Sequence, residues 1–275
     1  MSTRPARILG STPFRLCEVT VGILDRFSLN DRTALVTGGG QGIGEALAIA
    51  LAEAGADVAI LDLNADTAEE TAESIRALGR RSLSVQADVT KPDEVAEAVS
   101  TVVSEWGRLD IGVNNAGVAK AQPSVDVMEE DWDFIVDVDL KGVFLCAQAE
   151  GRVMLEAGSG SIINIASMSA QITNRPQVHV HYNAAKAGVV QMTRTLATEW
   201  TAQGVRVNSI SPGHMKTPMT RFMDEAGKQT WISNTPAGRN GDPSDLQGAA
   251  VYLASDASCF VSGHDLIVDG GYTLW

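Results

Sequence analysis

Short uncharged apolar runs alternate along the chain with longer stretches of helical period. The run Thr33-Ala34-Leu35-Val36-Thr37 lies between Asp31-Arg32 and a glycine cluster. A run of that length without charge predicts a strand buried on both faces. Comparable runs stand at 57–61, 82–86, 111–114, 161–165, 206–211 and 265–268, with a single charge at the first position of three of them: Asp57, Arg206 and Asp265. Between them, apolar residues recur three and four apart. That spacing predicts helices over 45–54, from the Asp62-Asn64-Asp66 region to about 78, and over 92–106, 130–154, 182–202 and 243–255. Pro92 opens its helix, where a missing N–H leaves nothing unpaired, and Gly55 closes the first one.

Strands alternating with helices predict an α/β fold. The sheet is expected to be doubly wound, largely parallel and covered by helices on both faces. No linker or repeat divides the chain, so one domain is expected over 31–275. Residues 1–30 read as an irregular N-terminal extension, with Pro5 and Pro13. The stretch 214–240 holds Pro218, Gly227, Pro236 and Gly238 and is expected to be a mobile flap over a cleft.

Composition narrows the function. The 275 residues are 44% hydrophobic and 20% charged, which excludes wholesale disorder. The formal charge of −13 argues against broad binding to nucleic acid or an anionic membrane. No apolar run is long enough to predict a transmembrane helix. Cys17, Cys146 and Cys259 are scattered and form no CxxC, so reduced, packed thiols are expected rather than a disulfide framework or zinc cluster. The first 15 residues carry Arg4, Arg7 and Arg15 and no acid, which leaves organellar targeting open. The default expectation is a cytoplasmic protein with a loose extension.

The glycine cluster marks the first candidate site. Gly38, Gln41, Gly42, Ile43 and Gly44 follow a predicted strand and open a predicted helix. That context suits a dinucleotide pyrophosphate, which close-approaching glycine backbone and free helix-terminal N–H groups can receive. Asp62 ends the second strand, 24 residues after Gly38. A carboxylate there can accept both hydroxyls of an adenosine ribose and would repel a 2′-phosphate. No Lys or Arg stands beside it, so NAD(H) is the expected cofactor. Asp88 and Val89 end the third strand and are candidates to border the adenine.

Further motifs follow in order: Asn114-Asn115-Ala116-Gly117, Ser167, Tyr182-Asn183-Ala184-Ala185-Lys186 and Pro212-Gly213. With them the chain resembles the short-chain dehydrogenase/reductase family from about Thr33 to Gly271. Three segments are similar to polyol dehydrogenases and ketose reductases: 163–169, Asn174-Arg175-Pro176-Gln177, and 208–213. The resemblance implies a single Rossmann-type domain with seven strands. It implies Asn115, Ala116 and Gly117 on the adenosine side of the cofactor. Pro212, Gly213, Met215 and Thr217 are implied near the nicotinamide, and Lys186 on its ribose. A homodimer or homotetramer is implied, with 270–275 at a subunit interface. No metal is required.

The chemistry fits the spacing. Tyr182 and Lys186 are four apart on a predicted helix and share a face. A lysine beside a phenol is expected to lower its pKa. Tyr182 would then exchange the hydroxyl proton, and Ser167 would polarise the substrate oxygen. Candidate substrate contacts are Ser169, Gln177, His179, His214 and Trp231, with Ser167 and Tyr182. His179 and His181 lack a third ligand and are expected on the surface of a loop. One departure stands out. The family usually carries Asn where this chain has Asp139, and an ionised Asp accepts but cannot donate.

The expected partner is a small alcohol or ketone, a sugar alcohol or ketose above others. A 3-oxoacyl, steroid or small cyclic ketone is the alternative substrate. The alternative of a different kind is a catalytically weak nucleotide sensor or scaffold.

Overall fold

A computed structural model of the protein describes residues 22–221 and 223–275. Seven parallel strands form one sheet in the order β3-β2-β1-β4-β5-β6-β7. They are β1 (Thr33–Thr37), β2 (Asp57–Asp62), β3 (Ser82–Gln86), β4 (Ile111–Asn114), β5 (Gly160–Ile165), β6 (Val205–Pro212) and β7 (Asp265–Val268). Every residue of β1 and β4 is buried, as their uncharged runs require.

Alternate residues feed opposite layers. On one face Val36, Ile60 and Ile163 pack with Leu47 and Leu51 of α1 (Gly42–Glu53). Ile75 of α2 (Ala65–Ala77) and Leu253 of α8 (Gln247–Ala254) complete that core. On the other face Leu35, Ala59 and Ile162 meet Val99 of α3 (Pro92–Trp106). Met154 of α5 (Val143–Ala157) and Leu196 of α6 (Val180–Trp200) join them. Leu29, just before β1, is also buried in the first core.

The predicted helix over 130–154 divides. It begins as α4 (Glu129–Val136), passes through a π-type turn at Asp137–Gly142, and continues as α5. A 3.6-residue period does not resolve one wider turn. The expected flap is also partly regular. It contains α7 (Glu225–Asn234), whose first turn is capped by Asp224 accepting the Gly227 N–H at 2.7 Å. Trp231 anchors that helix at 3% exposure. One large apolar anchor among polar neighbours leaves little periodic trace in the sequence.

The reduced-thiol expectation holds at Cys146, a buried free thiol, and fails at Cys259, which is disulfide-bonded. Three cysteines allow one pair and no framework. Cys17, the arginines of the first 15 residues and most of the expected extension lie outside the described residues. Among the described residues no helix is long and apolar enough to cross a membrane, and no group of His, Cys, Asp and Glu could hold a metal.

Candidate active site

In the strand order β1 has β2 on one side and β4 on the other, so successive connections diverge at its carboxyl end. A crevice opens at such a point. Here it is a cleft of about 1110 Å³, running from Asp62 and Asp88 to Ser167, Tyr182 and Trp231.

The glycine turn forms one end. Gly38 and Gly42 have φ of +59° and +63°, a region that favours glycine. A Cβ on Gly44 would stand 2.1 Å from the Gly38 carbonyl oxygen, so only glycine lets α1 start this close to the turn. No side chain caps α1 at Gln41, and its first N–H groups remain available to an anion. Gln41, Gly42 and Ile43 line the cleft.

Asn115 pins the turn from the neighbouring strand. Its Nδ2 donates to the carbonyls of Thr37 and Gly38 at 3.1 and 2.9 Å. Asp62 accepts the Gly40 N–H at 3.0 Å through Oδ2 and the Asn64 N–H at 3.0 Å through Oδ1. Each oxygen keeps a lone pair for a further donor. Asp88 lines the cleft beside Val89 but spends Oδ1 on the N–H and hydroxyl of Thr90. No arginine lines the cleft among the described residues, and Lys186 is its one lysine.

β5 delivers Ser167 to the other end. Its Oγ accepts the Ser169 N–H at 3.1 Å and donates to the Ser169 hydroxyl at 3.0 Å. Helix α6 brings Tyr182 and Lys186 together, with Lys186 Nζ 5.6 Å from the phenol ring centre. Nζ donates to the Ile165 carbonyl at 3.1 Å and lies 3.9 Å from Asp139 Oδ1. The π-type turn aims Asp139 at this point. Oδ1 accepts the Val118 N–H at 2.8 Å, while the buried Oδ2 has no partner. Gly117 leaves the needed room, since a Cβ there would come 2.7 Å from Asp139 Oδ1.

Burial lifts the Asp139 carboxyl to a pKa of about 6, against the opposing pull of Lys186 and the Val118 N–H. The expected lowering at Tyr182 is not found. Burial first, then the Asp139 charge, push the phenol above its ordinary value, and the Ser167 hydrogen bond only partly offsets them. Spacing showed the lysine but not the desolvation, nor the acid behind it.

Of the residues singled out in the sequence, Ala116, Gly117, Pro212, Gly213, Met215 and Thr217 line the cleft with those above. Ser169, Gln177, His179, His214 and Trp231 do so at the far end. Gly44 and Asp139 are absent from the lining and act from behind it. The two loop histidines are buried, contrary to expectation: His179 at 8% exposure and His181 at 0%. His179 Nδ1 pairs with Asn183 Oδ1 at 2.7 Å, and burial lowers its pKa.

The far wall is a linked stack. The Trp231 indole N–H donates to Gln177 Oε1 at 2.9 Å. Its ring stacks on His214 with centres 4.1 Å apart, and the His214 ring meets Tyr272 edge-on at 5.0 Å. Burial, then His179, lower the His214 pKa to about 3, so the imidazole is neutral. Sequence reasoning missed Asn174 as a contact. It lines the cleft at 3% exposure, and its Oδ1 is buried without a partner. Its amide type and its place between β5 and α6 were the available clues.

A family model described as enoyl-(acyl carrier protein) reductase matches residues 38–273. A sorbose reductase of Candida albicans is 43% identical over 98% of this chain and 96% of its own. An NADP-dependent mannitol dehydrogenase of Hypocrea jecorina is 41% identical over 91% of this chain and 96% of its own. Among solved structures, a short-chain type dehydrogenase/reductase from Mycobacterium marinum superposes with a TM-score of 0.90. It is 41% identical over 92% of this chain and 99% of that one. The fold and these likenesses define an oxidoreductase acting on alcohol groups. The chain belongs to the short-chain dehydrogenase/reductase family.

Proposed function

We propose that the protein interconverts a sugar alcohol and a ketose with NAD(H) as cofactor. The observation that carries this reading is one cleft with Asp62 and an uncapped helix start at one end and Ser167, Tyr182 and Lys186 at the other. The open N–H groups of α1 would take the pyrophosphate, and Asp62 the adenosine ribose. Asp62 disfavours a 2′-phosphate, and no arginine lines the cleft among the described residues to offset it, which supports NAD(H), although several relatives are named NADP-dependent and several similar structures hold NADP. When bound, the nicotinamide supplies or accepts the hydride at the substrate carbon.

The chain's own residues handle the oxygen. Ser167 donates a hydrogen bond to the carbonyl or developing alkoxide. Tyr182, held as a neutral phenol, donates its proton to that oxygen in reduction and takes it back in oxidation. Lys186 steadies the phenolate left behind, and Asp139 works against it. The sorbose and mannitol enzymes among the relatives support a polyhydroxylated substrate. A homotetramer or homodimer in the cytoplasm is part of this reading; the exposed Phe144, Leu274 and Trp275 support an assembly.

The test is a panel of alditols, ketoses and hydrophobic ketones run with both cofactors and followed by nucleotide absorbance. Turnover of alditols with NAD+ is expected. Turnover confined to hydrophobic ketones, or a preference for NADP(H), would sink the proposal.

A further inference from the structure

The substrate end of the cleft contains two buried polar atoms that nothing among the described residues satisfies. They are Asn174 Oδ1 and His214 Nε2. Buried polar groups are nearly always paired, and an orphan needs a reason. Both residues line the cleft. Neither side chain is free to turn away to water: Asn174 is 3% exposed, and His214 is clamped between Trp231 and Tyr272. The neighbouring Gln177 has its carbonyl oxygen occupied by the Trp231 N–H.

The charge around these atoms is as informative as the atoms. The polar groups around these two atoms are the amide of Gln177, the imidazole of His179 and the hydroxyls of Ser167, Ser169 and Tyr182. The cleft is also lined by apolar residues such as Met168 and Trp231 and by acids such as Asp137 and Asp224, with Lys186 as its one lysine and no arginine among the described residues. Lys186 is held at the Ile165 carbonyl and near Asp139. A carboxylate on the substrate would therefore meet no free cation, and it would face an amide oxygen that can only accept. A hydroxyl both donates and accepts, so it satisfies Asn174 Oδ1 and a neutral imidazole nitrogen alike.

We propose that Asn174 and His214 are specificity residues that each receive a hydroxyl of an uncharged polyol, and so select alditols over sugar acids of the same length. This rests on the alcohol–ketone chemistry proposed above and adds the charge class of the substrate. Neither residue touches the reacting oxygen in this scheme, so each acts on binding of the distal hydroxyls.

The test compares kcat and KM for the best-used alditol of a stereoisomer panel, the aldonate of the same length, and 2-butanol. Wild-type protein, Asn174→Ala and Asn174→Asp are measured. The wild type is expected to favour the alditol over the aldonate by at least about 100-fold. Asn174→Ala should raise the alditol KM about tenfold with little change in kcat, the loss of one hydrogen bond in a dry site. Its preference for the alditol over 2-butanol should fall by the same factor. Asn174→Asp keeps an acceptor, so it should retain alditol binding and discriminate further against the aldonate.

Equal use of aldonate and alditol by the wild type would overturn the proposal. So would an equal loss on alditol and 2-butanol in Asn174→Ala, which marks a merely structural role. No turnover of any alcohol by the wild type would remove the underlying reaction instead, a distinct failure visible before any variant is made.

Discussion

The Lys186 ammonium and the Asp139 carboxyl face each other at 3.9 Å, with side-chain exposures of 4% and 0%. The acid that neutralises the lysine is the same acid that raises the Tyr182 pKa. Alcohol oxidation needs Tyr182 as a base, so an ionised Asp139 shifts that activity to higher pH. Asp139→Asn removes the charge and should move the rising limb of kcat/KM for oxidation down by about one pH unit. Below about pH 6 the wild-type carboxyl is itself protonated, and the two profiles should converge. Superimposable profiles from pH 6 upward would refute the coupling.

Tyr182→Phe deletes the proton-carrying oxygen and little else. Turnover should fall by about 1,000-fold or more, with the thermal midpoint nearly unchanged. Ser167→Ala should lose about 100-fold, because one oxyanion donor is missing while the phenol remains. Retained activity in Tyr182→Phe would reassign the acid–base role.

Asp62 is braced by two backbone N–H groups, so Asp62→Asn keeps much of the local shape and removes the charge. The ratio of kcat/KM for NADP+ over NAD+ should rise about tenfold through lost repulsion. An unchanged ratio, measured at fixed salt, would mean that another feature sets cofactor choice.

Glu150 is a second buried acid, remote from the chemistry. It lies in α5 over Gly112, where a Cβ would come 2.3 Å from its carboxyl. Asn114 Nδ2 donates to Oε2 at 3.1 Å, and Oε1 has no partner. Burial raises its pKa to about 8 from an ordinary 4.5, with the Asn114 bond opposing. The folded state thus holds the proton more tightly than the unfolded one. Its contribution is fully present below about pH 4.5, declines as pH rises, and levels off above about pH 8. Glu150→Gln should therefore gain stability relative to wild type across that window, on the order of a few kcal/mol. Denaturant titrations from pH 5 to 9 that stay parallel would contradict it.

The centre of the sheet was legible because β1 and β4 are buried on both faces and exclude charge, so the runs at 33–37 and 111–114 match the observed strands. The half-exposed edge strands at 82–86 and 265–268 were legible from their short β-rich runs between helical stretches. The glycine turn and the Tyr182–Lys186 pair were legible because each needs particular residues at fixed local spacing. What escaped depends on distant neighbours. Asn174, Glu150, His179 and His181 are polar residues whose burial is decided by tertiary packing. The sign of the Tyr182 shift escaped for the same reason, since it is set by desolvation and then by Asp139, an acid distant in the chain. Helix α7 escaped because Trp231 alone fastens it.

The wide turn at Asp137–Gly142 fits one extra residue into an otherwise continuous rod between α4 and α5. Each helical residue advances the rod by about 100°. The wide turn absorbs that extra step, so α4 and α5 both keep their buried faces toward the core while Asp139 is carried inward. Excising one residue of this span would let ordinary winding resume with both flanking faces still in phase. A single-codon deletion here would leave the rod standing and cost the catalytic layer only the detour that holds Asp139 beneath it.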